Sequence, residues 1–333
     1  MGRKLSLKGK VVVITGASSG LGRAAALEFA RRGSHLVLAA RRSQALDAAV
    51  EECRSLGARA VALTVDVRNE AEVVALAKLA LAQTGSIDVW VNNAGVTCFA
   101  PLDTDRFDEH REVLETNLFG AIYGVRAVLP AFRRQRHGTL INVGSVLSKI
   151  GQPFVPSYVI SKFGLHGLTE TLRAAVAELP DVHVCSLLPY AMDTEHFEHG
   201  ANAFERPAFP MSPIQSPEKA ARALVELAER PRRQRLVPRI AALGLAIHFL
   251  APESTERVVT DLLLKWHFGP AHQALTTGNV HAPTTELGAV HGTRGARVGT
   301  GIVVLYAAGR FVQLQFLHAA HRLRALWGTR ARA

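Results

Sequence analysis

From residue 10 to about 190 the chain alternates short β-branched runs with longer stretches of helical period. Period and punctuation predict strands over 10–15, 35–40, 59–64, 87–91, 139–143 and 183–188. Helices are predicted between them, over 21–32, 44–56, 69–84, 108–136 and 157–179. Runs such as VVVITG and HLVLAA carry almost no polar position, which suits strands buried on both faces and hence a parallel sheet with helices on either side. A further helix over 217–230 and a short strand near 235–238 complete the pattern. The alternation predicts one doubly wound α/β domain with a mostly parallel sheet of about seven strands.

After residue 188 the pattern loosens. Residues 190–215, rich in His, Phe and Pro, lie beyond a strand's carboxyl end, where a substrate lid is expected. The domain is expected to span 1–268, followed by a linker over 269–298 with scattered Gly, Thr, Pro and His, and a tail over 299–333. The segment 240–250 is apolar on nearly every side apart from His248, too short to span a membrane. It is either buried under the domain or dipped into a bilayer surface. In the tail, Val312, Phe316, Ala319, Leu323, Leu326 and Trp327 share one helical face, and Arg310, Gln313, His318, His321, Arg322 and Arg324 hold the rest. Such a basic amphipathic helix over 310–327 suits an anionic membrane surface, a partner subunit or its own domain. No uncharged window reaches the roughly 18 residues of a membrane span, because Arg239 and Glu253 bracket one candidate and Arg310 divides the other.

Charge narrows the partners. Thirty-nine Lys and Arg against 28 Asp and Glu leave +11, and seven arginines against Glu286 alone put +6 of it after residue 268. Some anionic partner is expected. Nucleic acid is not, because the basic residues are not interleaved with an aromatic platform or a known module. Cys53, Cys98 and Cys185 are too few and too far apart for a disulfide framework or a metal site. With no separate apolar leader before residue 10, the expected location is cytoplasmic, with attachment at a membrane periphery left open.

Two constellations carry chemistry. Thr15-Gly16-Ala17-Ser18-Ser19-Gly20-Leu21-Gly22 follows a buried strand and opens an Ala-rich helix. Gly16 permits the tight turn, Gly20 lets the backbone approach a pyrophosphate and Gly22 allows close helix packing, while the helix start attracts the anion. Tyr158-Val159-Ile160-Ser161-Lys162 places a phenol and an ammonium at i and i+4 on one helical face. A free phenol has a pKa of about 10, so a nearby ammonium has to favour the phenolate for general-base work.

With Asp66 after the third strand, Asn92-Asn93-Ala94-Gly95 after the fourth and Ser145 after the fifth, the sequence resembles the short-chain dehydrogenase/reductase family over roughly residues 5–240, with a C-terminal extension. The resemblance implies a Rossmann-type domain and an Asn-Ser-Tyr-Lys tetrad at Asn117, Ser145, Tyr158 and Lys162. Tyr158 then exchanges the proton with the substrate oxygen, and Ser145 hydrogen-bonds that oxygen. Lys162 orients the nicotinamide ribose and biases Tyr158, and Asn117 holds a water that links Lys162 to solvent. The implied dinucleotide contacts are Gly16, Ser18, Ser19, Gly20, Leu21, Gly22, Asp66, Val67, Asn93, Ala94, Gly95, Tyr158, Lys162, Pro189 and Thr194. Tyr190 departs from the Gly that usually follows the proline, so the ring either lines the pocket or packs structurally.

Strand two ends Ala39-Ala40-Arg41-Arg42 without an acid to hold a 2′-hydroxyl. Arg41, with Arg42 and assisted by Ser18, therefore predicts NADP(H) over NAD(H); no metal is required. By position Val146, Leu147, Phe154, Tyr190 and Met192, with Phe197, Phe204 and Phe209 in the lid, make an apolar substrate wall. That favours a steroid-like, retinoid-like or fatty carbonyl or secondary alcohol. His196 and His199 read as lid surface. Family members imply a homodimer or homotetramer. The rival function is a catalytically silent NADP(H)-binding redox sensor or scaffold.

Overall fold

The apolar runs VVVIT and HLVLAA pair side by side in the sheet, buried at every position but His35. The computed structural model describes residues 4–286 and 288–330, with side chains up to residue 318 apart from Thr84. Its first half runs β1 (Val11–Thr15), α1 (Gly20–Arg31), β2 (His35–Ala40), α2 (Ser43–Ser55), β3 (Ala60–Thr64), α3 (Glu70–Thr84), β4 (Val89–Asn92), the short β5 (Cys98–Phe99), α4 (Phe107–Leu114), α5 (Gly120–Gln135) and β6 (Gly138–Val143). The second half runs α6 (Pro156–Ala175), β7 (Val182–Pro189), α7 (His196–His199), β8 (Ala201–Asn202), α8 (Pro217–Glu229), β9 (Gln234–Val237), α9 (Ala241–Leu250), α10 (Pro252–Trp266) and α11 (Thr300–Arg330). Seven strands pair in parallel in the order β3-β2-β1-β4-β6-β7-β9. One core layer packs α1, α2 and α8 against the sheet and another packs α3, α5 and α6. The strand order reverses between β1 and β4, and the reversal opens a crevice at their carboxyl ends.

The helix predicted over 108–136 is interrupted. Residues Glu115–Phe119 form a π turn between α4 and α5, and Asn117 points inward there, 2% exposed. Its Oδ1 accepts from Val96 N at 2.8 Å, and its Nδ2 donates to Val96 O at 3.0 Å and Ser161 Oγ at 3.1 Å. One extra residue in the turn lets an inward amide satisfy a loop backbone that a regular helix would miss. Nothing in the apolar period of 108–136 signals that insertion.

Past β9 the chain forms α9 and then α10 against α11. Asp261 and Arg310 pair at 2.6 Å, Gln315 Nε2 donates to Ser254 Oγ at 2.9 Å, and the Trp266 and Tyr306 rings lie 5.2 Å apart. Residues 300–318 of α11 are long and apolar enough to cross a membrane by length and composition, Arg310 notwithstanding. This corrects the reading that Arg310 divides that window. The side chains of Ala319, His321, Arg322, Leu323, Arg324, Leu326 and Trp327, and all of residues 331–333, lie outside the described residues.

Behind the crevice runs a buried polar ladder. Trp90 Nε1 donates to Asn92 Oδ1 (2.7 Å), Asn92 Nδ2 to Asn142 Oδ1 (2.9 Å) and Asn142 Nδ2 to Thr169 Oγ1 (2.9 Å), joining β4, β6 and α6. Every member is satisfied, so the ladder fixes where α6 sits against the sheet. Asn142→Leu leaves Asn92 Nδ2 with its longer 3.3 Å bond to Ala121 O and removes the link to Thr169, and should lower stability by about 1–3 kcal/mol, read as a lower urea midpoint at unchanged m-value.

Candidate active site

The glycine turn hangs from a single hydroxyl. Thr15 Oγ1 donates to Val91 O (3.3 Å) and accepts from the Asn93 and Ala94 amides (3.1 and 3.2 Å), which clamps the ends of β1 and β4 together. Asn93 Nδ2 donates to the Thr15 and Gly16 carbonyls at 2.9 and 3.1 Å. Gly16 has φ +66°, and a Cβ there would stand 2.7 Å from Ala94 Cα. At Gly22 a Cβ would collide with the Gly16 carbonyl. Ser19 caps α1 in an extended conformation without a side-chain bond, so the first N–H groups of the helix face the crevice.

A cavity of about 670 Å³ begins at this turn. Gly16, Ser18, Ser19, Gly20, Leu21, Gly22, Arg41, Arg42, Val67, Asn93, Ala94 and Gly95 line its first part, and Ser145, Tyr158, Lys162, Pro189 and Thr194 its middle. A turn with no room for side chains, open N–H groups and a channel leading away from it fits a dinucleotide. Asp66 stands just off that wall. Burial opposes its charge, but hydrogen bonds from Arg68 at 2.5 and 3.0 Å hold its carboxyl below the usual range.

The segment expected as a linker has no helix or sheet strand of its own, yet it is not a free spacer. It straps the cradle. Arg41 donates to the Asn279 and Val280 carbonyls (2.5 and 3.4 Å), and Arg68 donates to those of Val280 and His281 (3.2 and 2.9 Å). Gly20 N donates to Ala289 O at 2.8 Å, and Arg23 to Gly288 O at 2.8 Å. Arg42 pairs with Glu195 of the lid at 2.9 Å. Arg41 has no carboxylate of its own, since Asp66 is committed to Arg68; burial lowers its pKa. Polar loop residues bind here because three clustered guanidiniums and the N–H groups of a helix start are donors, and backbone carbonyls are the acceptors they need.

Further along, β6 delivers Ser145 and the first turns of α6 deliver Tyr158 and Lys162. Lys162 Nζ donates to Val143 O at 2.9 Å and lies 5.3 Å from the Tyr158 ring centroid. Burial lowers Lys162 to about 8. Burial also pushes Tyr158 up to about 12, although a Ser145 hydrogen bond pulls the other way. The phenol is therefore not acidified as the i, i+4 spacing suggested. The ammonium sits over the ring face, anchored on a carbonyl, and desolvation dominates. The Asn117 amide bonds to Val96 and Ser161 and to neither of these groups.

The substrate wall contains Val146, Leu147, Tyr190, Met192 and Phe197. Tyr190 lines the cavity while its hydroxyl meets Ser212 O at 3.4 Å. Phe154 does not line it: with φ +73° its ring packs against Phe204 (5.3 Å) and Phe268 (5.4 Å) behind the wall. Phe204 and Phe209 also stay off the lining. His196 is not lid surface. Its ring lies 5.5 Å from that of Tyr158, and burial, then Lys162, push its pKa down to about 4, so it faces the site neutral. Its place two residues after Thr194 was the only signal in the sequence. His199 instead pairs with Glu195 and Glu286, and no three metal-ligating side chains converge among the described residues.

The sequence pattern of the short chain dehydrogenases matches residues 10–203. The chain belongs to the short-chain dehydrogenase family. It is 36% identical over 231 residues to 3beta-hydroxysteroid dehydrogenase 1 of Eggerthella lenta, across 67% of this chain and 87% of that one. A short-chain dehydrogenase/reductase from Burkholderia phymatum in complex with NAD superposes with a TM-score of 0.67 at 30% identity, across 75% and 96% of the two chains. An alcohol dehydrogenase from the archaeon Thermococcus sibiricus, complexed with 5-hydroxy-NADP, gives 0.60 at 30% identity, across 69% and 96%. Family membership makes this chain an oxidoreductase of dinucleotide-binding fold.

The strap has a structural test. Gly288 has φ +73°, and a Cβ there would stand 2.6 Å from Ser18 O. Gly288→Val should lift the strap at a cost of about 1–3 kcal/mol, seen as new protease cleavage within residues 276–293 while the sheet core stays resistant.

Proposed function

We propose that the protein is an NADP(H)-dependent oxidoreductase acting on a carbonyl or secondary alcohol of an apolar small molecule. One observation carries this reading: Ser145, Tyr158 and Lys162 share the wall of a cavity continuous with the glycine cradle. The bound nicotinamide supplies the hydride chemistry. Tyr158, protonated at neutral pH, donates its proton to the carbonyl oxygen in reduction and takes it back in oxidation. Ser145 polarises the same oxygen with a second hydroxyl. Lys162 orients the ribose and carries the positive charge beneath the phenol. Gly20, Leu21 and Ser19 hold the pyrophosphate once the strap carbonyl at Ala289 gives way, and Thr194 and Pro189 frame the nicotinamide.

Arg41 supports the NADP(H) preference. A half-buried cation whose hydrogen bonds among the described residues go to neutral carbonyls gains most from a 2′-phosphate, whereas Arg42 already has Glu195. The apolar wall of Val146, Leu147, Met192 and Phe197 supports a hydrophobic substrate, as does similarity to an enzyme named for a hydroxysteroid. Exposed Phe107, Phe119, Ile160 and Phe163 around α4–α6 support self-association of copies through that face. A cofactor-oxidation assay across a ketone panel separates this reading from a silent sensor, which would show no turnover with any of them.

Two outcomes are expected. Arg41→Asp should move the ratio of kcat/KM for NADPH over NADH by about tenfold or more, one charge-assisted hydrogen bond being worth about 1.5–3 kcal/mol; an unchanged ratio refutes the assignment. Tyr158→Phe should abolish turnover while cofactor affinity, measured by calorimetry, stays within about twofold. The pH dependence follows from the same pair. With Tyr158 at about 12 and Lys162 at about 8, reduction should be flat through neutral pH and fall above about 8 as the ammonium discharges. Oxidation, which needs the phenolate, should rise as pH increases.

A further inference from the structure

The far end of the cavity is walled by α9 and α11, each of which keeps an apolar face that no described residue covers. α9 is apolar at every position except His248, and none of its residues is buried; Phe249 and Leu250 are 86% and 81% exposed. On α11, Ile302, Leu305, Gly309, Val312 and Phe316 recur at three- and four-residue spacing and form one exposed stripe. That stripe lies opposite the buried Val303 and Leu314. Both helices also line the cavity that leads to Tyr158, through Ala241, Gly244 and Leu245 of α9 and Val303, Val304 and Ala307 of α11. A monomer in water does not ordinarily leave apolar helices bare around the mouth of its own cavity.

The charges beside these faces select the cover. Residues 230–239, leading into α9, hold five arginines, of which Arg233 and Arg235 pair with Glu170 and Glu226. In sequence, residues 299–333 hold five more, with no Asp or Glu; Arg310 pairs with Asp261, and the side chains of the other four lie outside the described residues. Arginine-flanked apolar faces complement a layer that is anionic outside and hydrocarbon inside, whereas a second copy would bring the same cations together. Both helices are set to lie in that layer and not to cross it. α9 is too short, and the Arg310–Asp261 pair midway along α11 would drag α10 and its charges into hydrocarbon.

We propose that α9 and the outer stripe of α11 seat in the surface of an anionic bilayer, and that the apolar substrate passes between lipid and the cavity at that contact. The second half rests on the proposed function. The test floats the full-length protein with phosphatidylcholine vesicles, with and without phosphatidylglycerol, at low and high salt. Flotation should require the anionic lipid and weaken with salt. The double variant Phe249→Asp, Phe316→Asp changes two exposed side chains outside the catalytic machinery, and should cut vesicle partition by about tenfold or more. For a long-chain ketone dissolved in the vesicles its KM should rise in step, while turnover of a small water-soluble ketone is unchanged. Absent flotation, or flotation that the double variant leaves intact, overturns the proposal. So does a wild-type dimer in light scattering that the double variant dissociates, which would give the surface to a second copy. Flotation without turnover of either ketone would remove the functional reading and the delivery route together, and leave the docking standing.

Discussion

Thr15 joins two strands whose following connections run opposite ways, and that junction determines where chemistry can happen. With the ends of β1 and β4 clamped by one hydroxyl, the chain after β1 must turn at once, and only glycine fits against Ala94 and the Gly16 carbonyl. The helix that follows starts with its N–H groups facing the crevice. Every later functional group is placed relative to this gap. Asn93 braces the turn, Gly95 sits against Asn117, and the buried amide ladder fixes α6, which carries Tyr158 and Lys162.

Desolvation governs the groups thus collected. Lys162 loses proton affinity, while Tyr158 holds its proton more tightly. A site without internal carboxylates beside the lysine cannot compensate its charge, so the missing negative charge has to come from a ligand or from the phenol. The same logic holds at the other end of the cleft. Arg41, Arg42 and Arg68 converge beside the glycine turn, where the strap supplies carbonyl dipoles and Glu195 supplies a carboxylate. Carbonyl dipoles are weaker partners for a guanidinium than a phosphate dianion, so under the proposed NADP(H) preference the strap can yield to the phosphate.

Legibility followed the range of the forces involved. Strands β1 and β2 fell within a residue of the predicted ranges because nearly continuous apolarity marks burial on both faces. The glycine turn and the Tyr–Lys helix were readable because their chemistry is local in sequence. Asn117 was named by resemblance, and its π turn was hidden, since it depends on a backbone pair at Val96 twenty-one residues away. The strap was hidden for the same reason. Residues 276–293 have no periodicity of their own and are held by arginines more than two hundred residues upstream. Phe154 was misplaced because an aromatic ring near a catalytic tyrosine can turn into the cavity or behind it, and its positive φ turns it behind. His196 was misread because polarity alone points a histidine outward, whereas here the lid folds it inward onto Tyr158.

The two ends of the cavity are closed by opposite chemistry. At the cradle the cover is polar and covalently attached, so it competes with a charged ligand at an effective concentration set by a short tether. At the far end the walls are α9, α10 and α11, and the outer faces of α9 and α11 have no partner among the described residues. A charged dinucleotide and an apolar substrate reach a protein from different phases, one dissolved in water and one partitioned into lipid. Under the proposed function a single cavity serves both, and it then needs one mouth that trades hydrogen bonds and another that never has to break them. The amphipathic division of the C-terminal third, with carbonyls and arginines over the glycine turn and bare aliphatic faces beyond Tyr158, meets that requirement with one continuous stretch of chain.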